Sequence, residues 1–142
     1  MTTEEGRHKI KTIKDKETLS KRGDGYMEIV EILKALGDET RVRILHLVQE
    51  KPLCVCEIQE ILKISQSNTS RHLIKLKHAK LIRGEKKAQW VYYALDLETF
   101  QKYSFLEELI QDLNENQHLE QDRQTLQTLR EKGVSCEVLT QK

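Results

Sequence analysis

Only Lys63, Ile64 and Ser65 separate two segments whose apolar residues recur at helical spacing. The first runs from about Leu53 to Leu62 on Val55, Ile58, Ile61 and Leu62. The second runs from Gln66 to about Lys80, with Thr69, Leu73, Leu76 and Leu81 on one side. So short a connection fixes two helices at a steep mutual angle, which is a helix-turn-helix. Ser65 supplies the N-cap of the second helix, its hydroxyl accepting from an otherwise orphaned amide.

The same period extends upstream. Tyr26, Ile29, Val30, Leu33 and Leu36 mark a helix that stops at Gly37, and Asp38 caps another ending before Pro52. Its inward residues are either Val42, Leu45 and Val48 or Ile44, Leu47 and Val48. Beyond the second helix of the pair the period changes to two. Leu81 to Glu85 and Trp90 to Leu95 are rich in strand formers and flank Lys86-Lys87-Ala88-Gln89, which predicts a β-hairpin. Phe100, Tyr103, Leu106, Leu109 or Ile110, and Leu113 then mark a long acidic helix. Leu119, Leu126 and Leu129 either extend it or form another. The expected fold is mainly α with a small β-hairpin, a winged helix-turn-helix. Residues 1–25, poor in apolar side chains, are expected to be a mobile arm, 26–115 the winged helix-turn-helix domain, and 116–142 a C-terminal extension.

The whole chain of 142 residues carries a net charge of +1, which conceals a strong segregation. Residues 62–95 hold eight basic side chains against Glu85 alone, a local +7, whereas residues 96–131 sum to −6. A basic block of that size is the electrostatic footprint of phosphate binding, although charge alone fits a solvated surface equally. With Thr69, Leu73 and Leu76 turned inward, about 100° per residue places Gln66, Ser67, Ser70, Arg71, Ile74 and Lys75 on or near the opposite side. Arg71 can pair with guanine, Gln66 with adenine, and Ser67 and Ser70 with bases or phosphate. Arg83, Lys86 and Lys87 on the hairpin suit the backbone or minor groove. His72, between the two faces, is read as a packing residue.

The longest apolar run, Trp90 to Leu95, is far short of the about twenty residues a membrane span needs. The start of the chain lacks a basic region followed by an apolar stretch, so a cytoplasmic protein with reduced thiols is expected. Cys54 and Cys56, two residues apart at the start of a helix, could be inert core residues. Alternatively, the helix N-terminus lowers their pKa values and favours soft-ion binding. On a regular helix the two side chains lie about 200° apart and cannot share an ion. An open or extended first turn would bring them to one side.

Leu36-Gly37-Asp38-Glu39-Thr40-Arg41-Val42-Arg43-Ile44-Leu45, Leu53-Cys54-Val55-Cys56-Glu57-Ile58, Ser65 to Leu73, and Trp90-Val91-Tyr92-Tyr93 together resemble the ArsR/SmtB family of metal-sensing winged-helix repressors. The cysteine stretch is similar to the metal-box of its arsenic-responsive branch. That resemblance implies a homodimer on operator double-stranded DNA, an imperfect inverted repeat, released by trivalent arsenic or antimony, with no organic cofactor and no membrane partner. The dimer would be formed by the first helix and the acidic helix, burying Leu106, Leu109, Ile110 and Leu113. Where the best-known arsenic sensors carry a third cysteine, this chain has Gln59, which leaves Cys136 as the third sulfur or a site with two. No cysteine precedes Cys54, against the pattern of the cadmium and lead sensors, and Asp112 and His118 do not match the spacing of the zinc and nickel sensors. A redox or persulfide sensor, or a cadmium- or lead-sensing repressor, on the same fold is the alternative. A thiol enzyme is poorly supported, since Cys-x-x-Cys and a phosphate-cradling glycine loop are both absent.

Overall fold

The structure, a computed structural model, describes residues 16–133. Helices α1 (Lys16–Leu36) and α2 (Glu39–Val48) lead to a short strand β1 (Leu53–Cys54), then α3 (Val55–Leu62) and α4 (Gln66–His78). Strands β2 (Ile82–Lys87) and β3 (Trp90–Leu95) form the wing, followed by α5 (Leu97–Lys102), α6 (Ser104–Asn114) and α7 (Gln117–Glu131). The sheet has three antiparallel strands in the order β1-β3-β2.

Both expected caps form. Asp38 Oδ1 accepts the Arg41 amide at 3.1 Å, and Ser65 Oγ accepts the Asn68 amide at 3.1 Å. Lys63, in the left-handed region at φ 58°, ends α3 and turns the chain into α4. Arg41 fastens the start of the unit: Nε donates to the Ala35 carbonyl at 2.7 Å, and Nη1 lies 3.2 Å from His72 Nδ1. His72 is thereby held between α2 and α4, in keeping with a packing role.

Ile44, Leu45, Leu47 and Val48 of α2 are all buried, so both alternative inward sets contribute, while Val42 is half-buried. They pack with Leu53, Ile58, Leu73, Leu76, Leu81 and Ile82 in one core. Each side chain of that size contributes about 1.5–3 kcal/mol on burial, which fixes α3 and α4 against α2. At the opposite end, Glu28 of α1 accepts from Tyr103 Oη and from Lys102 Nζ at 3.0 Å, and lies 3.6 Å from Lys80 Nζ. These contacts tie α1 to the α5–α6 junction and to the residues just after α4.

Three expectations about the elements are corrected. Helix α1 begins at Lys16, well before the apolar periodicity at Tyr26. Its first turns come from a polar sequence that periodicity does not register. Leu53 and Cys54 are a strand rather than the first turn of α3, because their backbone groups pair with Tyr93 and Tyr92 of the wing. The long acidic helix expected after the wing is broken at Tyr103 (φ −119°, ψ 100°) into α5 and α6, while Leu119, Leu126 and Leu129 form a separate helix, α7, one of the two alternatives expected for them. The Asn116 side chain accepts from His118 at 2.8 Å and caps α7.

Candidate ligand-responsive DNA-binding unit

Helix α4 presents the expected polar side. Gln66, Ser67, Arg71 and Lys75 are exposed and Ser70 is half-buried, while Thr69, Leu73 and Leu76 lie in the core. Arg71 Nη2 donates to Asn68 Oδ1 one turn earlier, so Asn68 orients the guanidinium. Asn68 was not singled out from the sequence, although its i−3 spacing from Arg71 was legible there. On the wing Arg83, Lys86 and Lys87 are exposed, and Lys87 Nζ lies 5.9 Å from the Tyr92 ring centroid. The hairpin tip turns through Ala88 at φ 58°.

The cysteine pair sits at the junction of β1 and α3. Cys54 is the helix N-cap, with extended backbone at φ −93° and ψ 170°, and it is only 2% exposed. Glu57 is buried and accepts the Cys54 amide at 3.1 Å, so the acidic residue of the motif caps a helix. Cys56 falls in the first turn and is half-buried. The two cysteines therefore do not lie on one regular helix. They straddle a strand-to-helix transition, where the roughly 200° separation of a continuous helix does not apply.

Two expectations about these thiols do not hold. Cys54 is disulfide-bonded, whereas Cys56 is a free thiol, so the cysteines are not all reduced. Nor does the helix start lower the Cys56 pKa: burial pushes it up, and the Glu57 charge pushes it further in the same direction. Cys136 lies outside the described residues. Among the described residues, no group of three or more His, Cys, Asp or Glu is placed to hold a metal ion.

Sequence reasoning left the role of the C-terminal extension open and did not single out His46, Arg43 or Asp122. Helix α7 docks on α2 and α3 through Leu119 and Leu126, and Asp122 between them receives Arg43 Nε at 2.8 Å and Nη2 at 2.9 Å. His46 is 1% exposed, its Nδ1 has no hydrogen-bond partner among the described residues, and burial lowers its pKa against the pull of Asp122 and Glu50. The available signal was one carboxylate, Asp122, on the otherwise apolar stripe of Leu119, Leu126 and Leu129.

Residues 38–83, from the cap of α2 to the start of the wing, match the family model described as bacterial regulatory protein, arsR family. Over 90 residues the chain is 36% identical to the cadmium resistance transcriptional regulatory protein CadC homolog of Staphylococcus aureus, covering 63% of this chain and 73% of that protein. The chain belongs to the arsR family of bacterial regulatory proteins. Within that family it is also 45% identical over 65 residues to the arsenic resistance transcriptional regulator ArsR1 of Pseudomonas putida. That match spans 45% of this chain and 51%, about half, of the relative's length. Among solved structures, HlyU from Vibrio cholerae superimposes with a TM-score of 0.54 at 31% identity, covering 64% of this chain and 92% of that one. The arsR-family model spans α2, the cysteine junction, α3 and α4 as one continuous unit. Among the described residues no helix is long and apolar enough to cross a membrane.

Proposed function

We propose that this chain is a homodimeric transcriptional repressor that leaves its operator when trivalent arsenic or antimony binds at Cys54 and Cys56, with Cys136 as third sulfur. Arsenic and cadmium regulators among its relatives support a soft-ion inducer, and the absence of cysteines before Cys54 favours arsenic. In this reading α4 enters the major groove, with Gln66, Ser67, Ser70 and Arg71 at base edges or phosphate and Lys75 at phosphate. Arg83, Lys86 and Lys87 hold the flanking backbone or minor groove. The operator is an imperfect inverted repeat read by two copies. Dimerisation is supported by Tyr26, Met27 and Leu33, large apolar residues left exposed on α1, and by half-buried Leu109, Ile110 and Leu113 on α6. Leu106, by contrast, is fully buried within its own protomer and is not available to a partner.

One observation carries the mechanism. Leu53 and Cys54 are paired into the wing with Tyr93 and Tyr92, and Cys56 lies in the first turn of the helix that turns directly into α4. An ion held by the two sulfurs joins β1 to α3, and so acts on the angle between wing and recognition helix. Each new As–S bond replaces an As–OH bond, with the thiol proton leaving as water, so arsenite needs reduced thiols. A coupling of about 1–3 kcal/mol between the two sites changes operator affinity roughly 5–150-fold, reciprocally.

The disulfide bond at Cys54 favours a second reading, in which the signal is an oxidant: peroxide converts two thiols to a disulfide and is itself reduced to two waters. The test measures binding to an operator duplex by fluorescence anisotropy in a reducing buffer. Arsenite, antimonite, cadmium, lead and zinc are titrated in turn on wild type, Cys54→Ser, Cys56→Ser and Cys136→Ser, then peroxide alone after removal of the reductant. The primary reading expects arsenite and antimonite to release the wild type and not the Cys54 and Cys56 variants. Release by peroxide with indifference to arsenite replaces it by the redox reading.

A further inference from the structure

Ile74 is 64% exposed although it lies on α4, whose other large aliphatic residues Leu73 and Leu76 are buried. At about 100° per residue it stands opposite the side formed by Thr69, Leu73 and Leu76, with Ser67 and Arg71 to one side of it and Ser70 to the other. It is therefore the apolar centre of an otherwise polar face. It contributes nothing to the core, and as a β-branched residue it is a weaker helix former than the lysine or glutamine an exposed helix position readily accepts. Ile74 itself, with Glu31, Lys34 and Ala35 of α1, Arg41 of α2, and Lys75 and His78 of α4, lines an open groove of about 450 Å³, so its side chain is accessible from solvent.

We propose that Ile74 is a specificity-determining residue that reads the C5 methyl group of thymine in the major groove. Of the four bases in the major groove only thymine presents a methyl there, and an aliphatic side chain recognises it by excluding water from both. The polar neighbours then read hydrogen-bonding edges while Ile74 reads the one apolar mark in the groove. This inference rests on the proposed insertion of α4 into operator DNA and names part of what that helix selects.

The experiment first selects duplexes from a randomised pool with the full-length reduced protein. In the selected duplex each thymine of one half-site is then replaced singly by deoxyuridine, which removes the methyl and leaves base pairing intact. Affinities are measured by anisotropy for wild type and Ile74→Ala, with thermal unfolding confirming that the exposed substitution leaves the fold intact. One replacement should weaken the wild type about fourfold, the value of one buried methyl-sized group. Ile74→Ala should bind the unmodified duplex about fourfold more weakly and be indifferent to that same replacement. If a duplex is selected but no deoxyuridine effect depends on Ile74, the assignment of Ile74 is wrong while the DNA-binding reading stands. If no duplex is selected over random DNA, the DNA-binding reading fails and this inference fails with it.

Discussion

Cys54 stands opposite Tyr92 in the antiparallel register of β1 and β3, and Tyr92 in turn stands opposite Glu85 of β2. The residue proposed to bind the inducer is thus in the same sheet as the basic wing, one strand removed from Arg83, Lys86 and Lys87. A ligand that reshapes the Cys54 backbone has a covalent route to α4 through α3 and a hydrogen-bonded route to the wing.

Arg71 and the wing lysines should differ in kind. Arg71→Ala should reduce discrimination between operator and mismatched duplex by about 1–3 kcal/mol if it reads a guanine. Lys86→Gln and Lys87→Gln should weaken binding to all sequences alike and lower the slope of log K against log salt by about one for each phosphate left unneutralised. Anisotropy titrations at several salt concentrations separate the two patterns. A uniform loss for Arg71→Ala would reassign it to phosphate.

The pair between Arg43 and Asp122 anchors α7 at a site where the carboxylate side chain is 11% exposed and the guanidinium 28%. Asp122→Ala leaves Arg43 charged and partly buried, and should cost about 2 kcal/mol, below the roughly 3–5 kcal/mol of a fully buried pair. The double variant Arg43→Met with Asp122→Leu should recover most of that loss. Urea unfolding gives the magnitudes, and hydrogen exchange along α7 shows whether the loosening is local.

His46 should make the protein sensitive to mild acid. Its folded pKa is lowered, first by burial, from an ordinary value of 6.5, so the unfolded chain binds the proton more tightly. The stability it contributes is complete above that ordinary value and is lost as pH falls from there toward the lower folded value. His46→Leu should flatten the pH dependence of urea midpoints across this window. An unchanged profile would transfer the effect to His72, which burial also shifts downward.

Two wing residues should respond in opposite directions. A Cβ on Gly84 would stand 3.1 Å from Tyr93 Cε1 and from Val91 Cγ1, so Gly84→Ala should destabilise the hairpin by about 1 kcal/mol. Ala88, at φ 58°, occupies a conformation that glycine adopts without a Cβ penalty, so Ala88→Gly should stabilise it by up to about 1 kcal/mol. Thermal unfolding midpoints of the two variants should move apart. Two unchanged midpoints would show that the hairpin does not unfold cooperatively with the domain.

The helix-turn-helix, its two caps and the inner face of α4 were legible in the sequence because each depends on residues within a few positions of one another. Asp38 and Ser65 reach amides three residues on, and Thr69, Leu73 and Leu76 repeat with the helical period. The charge segregation onto residues 62–95 was likewise a property of the chain alone. Only the tertiary structure decided the state of the cysteine junction. Leu53 and Cys54 carry no local strand signal and become a strand because β3, some forty positions later, offers them hydrogen bonds. The Cys56 pKa follows burial, which overrides the helix-end effect that sequence position implies. The docking of α7 over His46 through Asp122 and Arg43, 79 positions apart, is a long-range pairing that periodicity cannot register. Sequence alone determines what neighbouring residues can satisfy among themselves, whereas distant segments must be brought together before buried charge, desolvation and sheet pairing have defined partners.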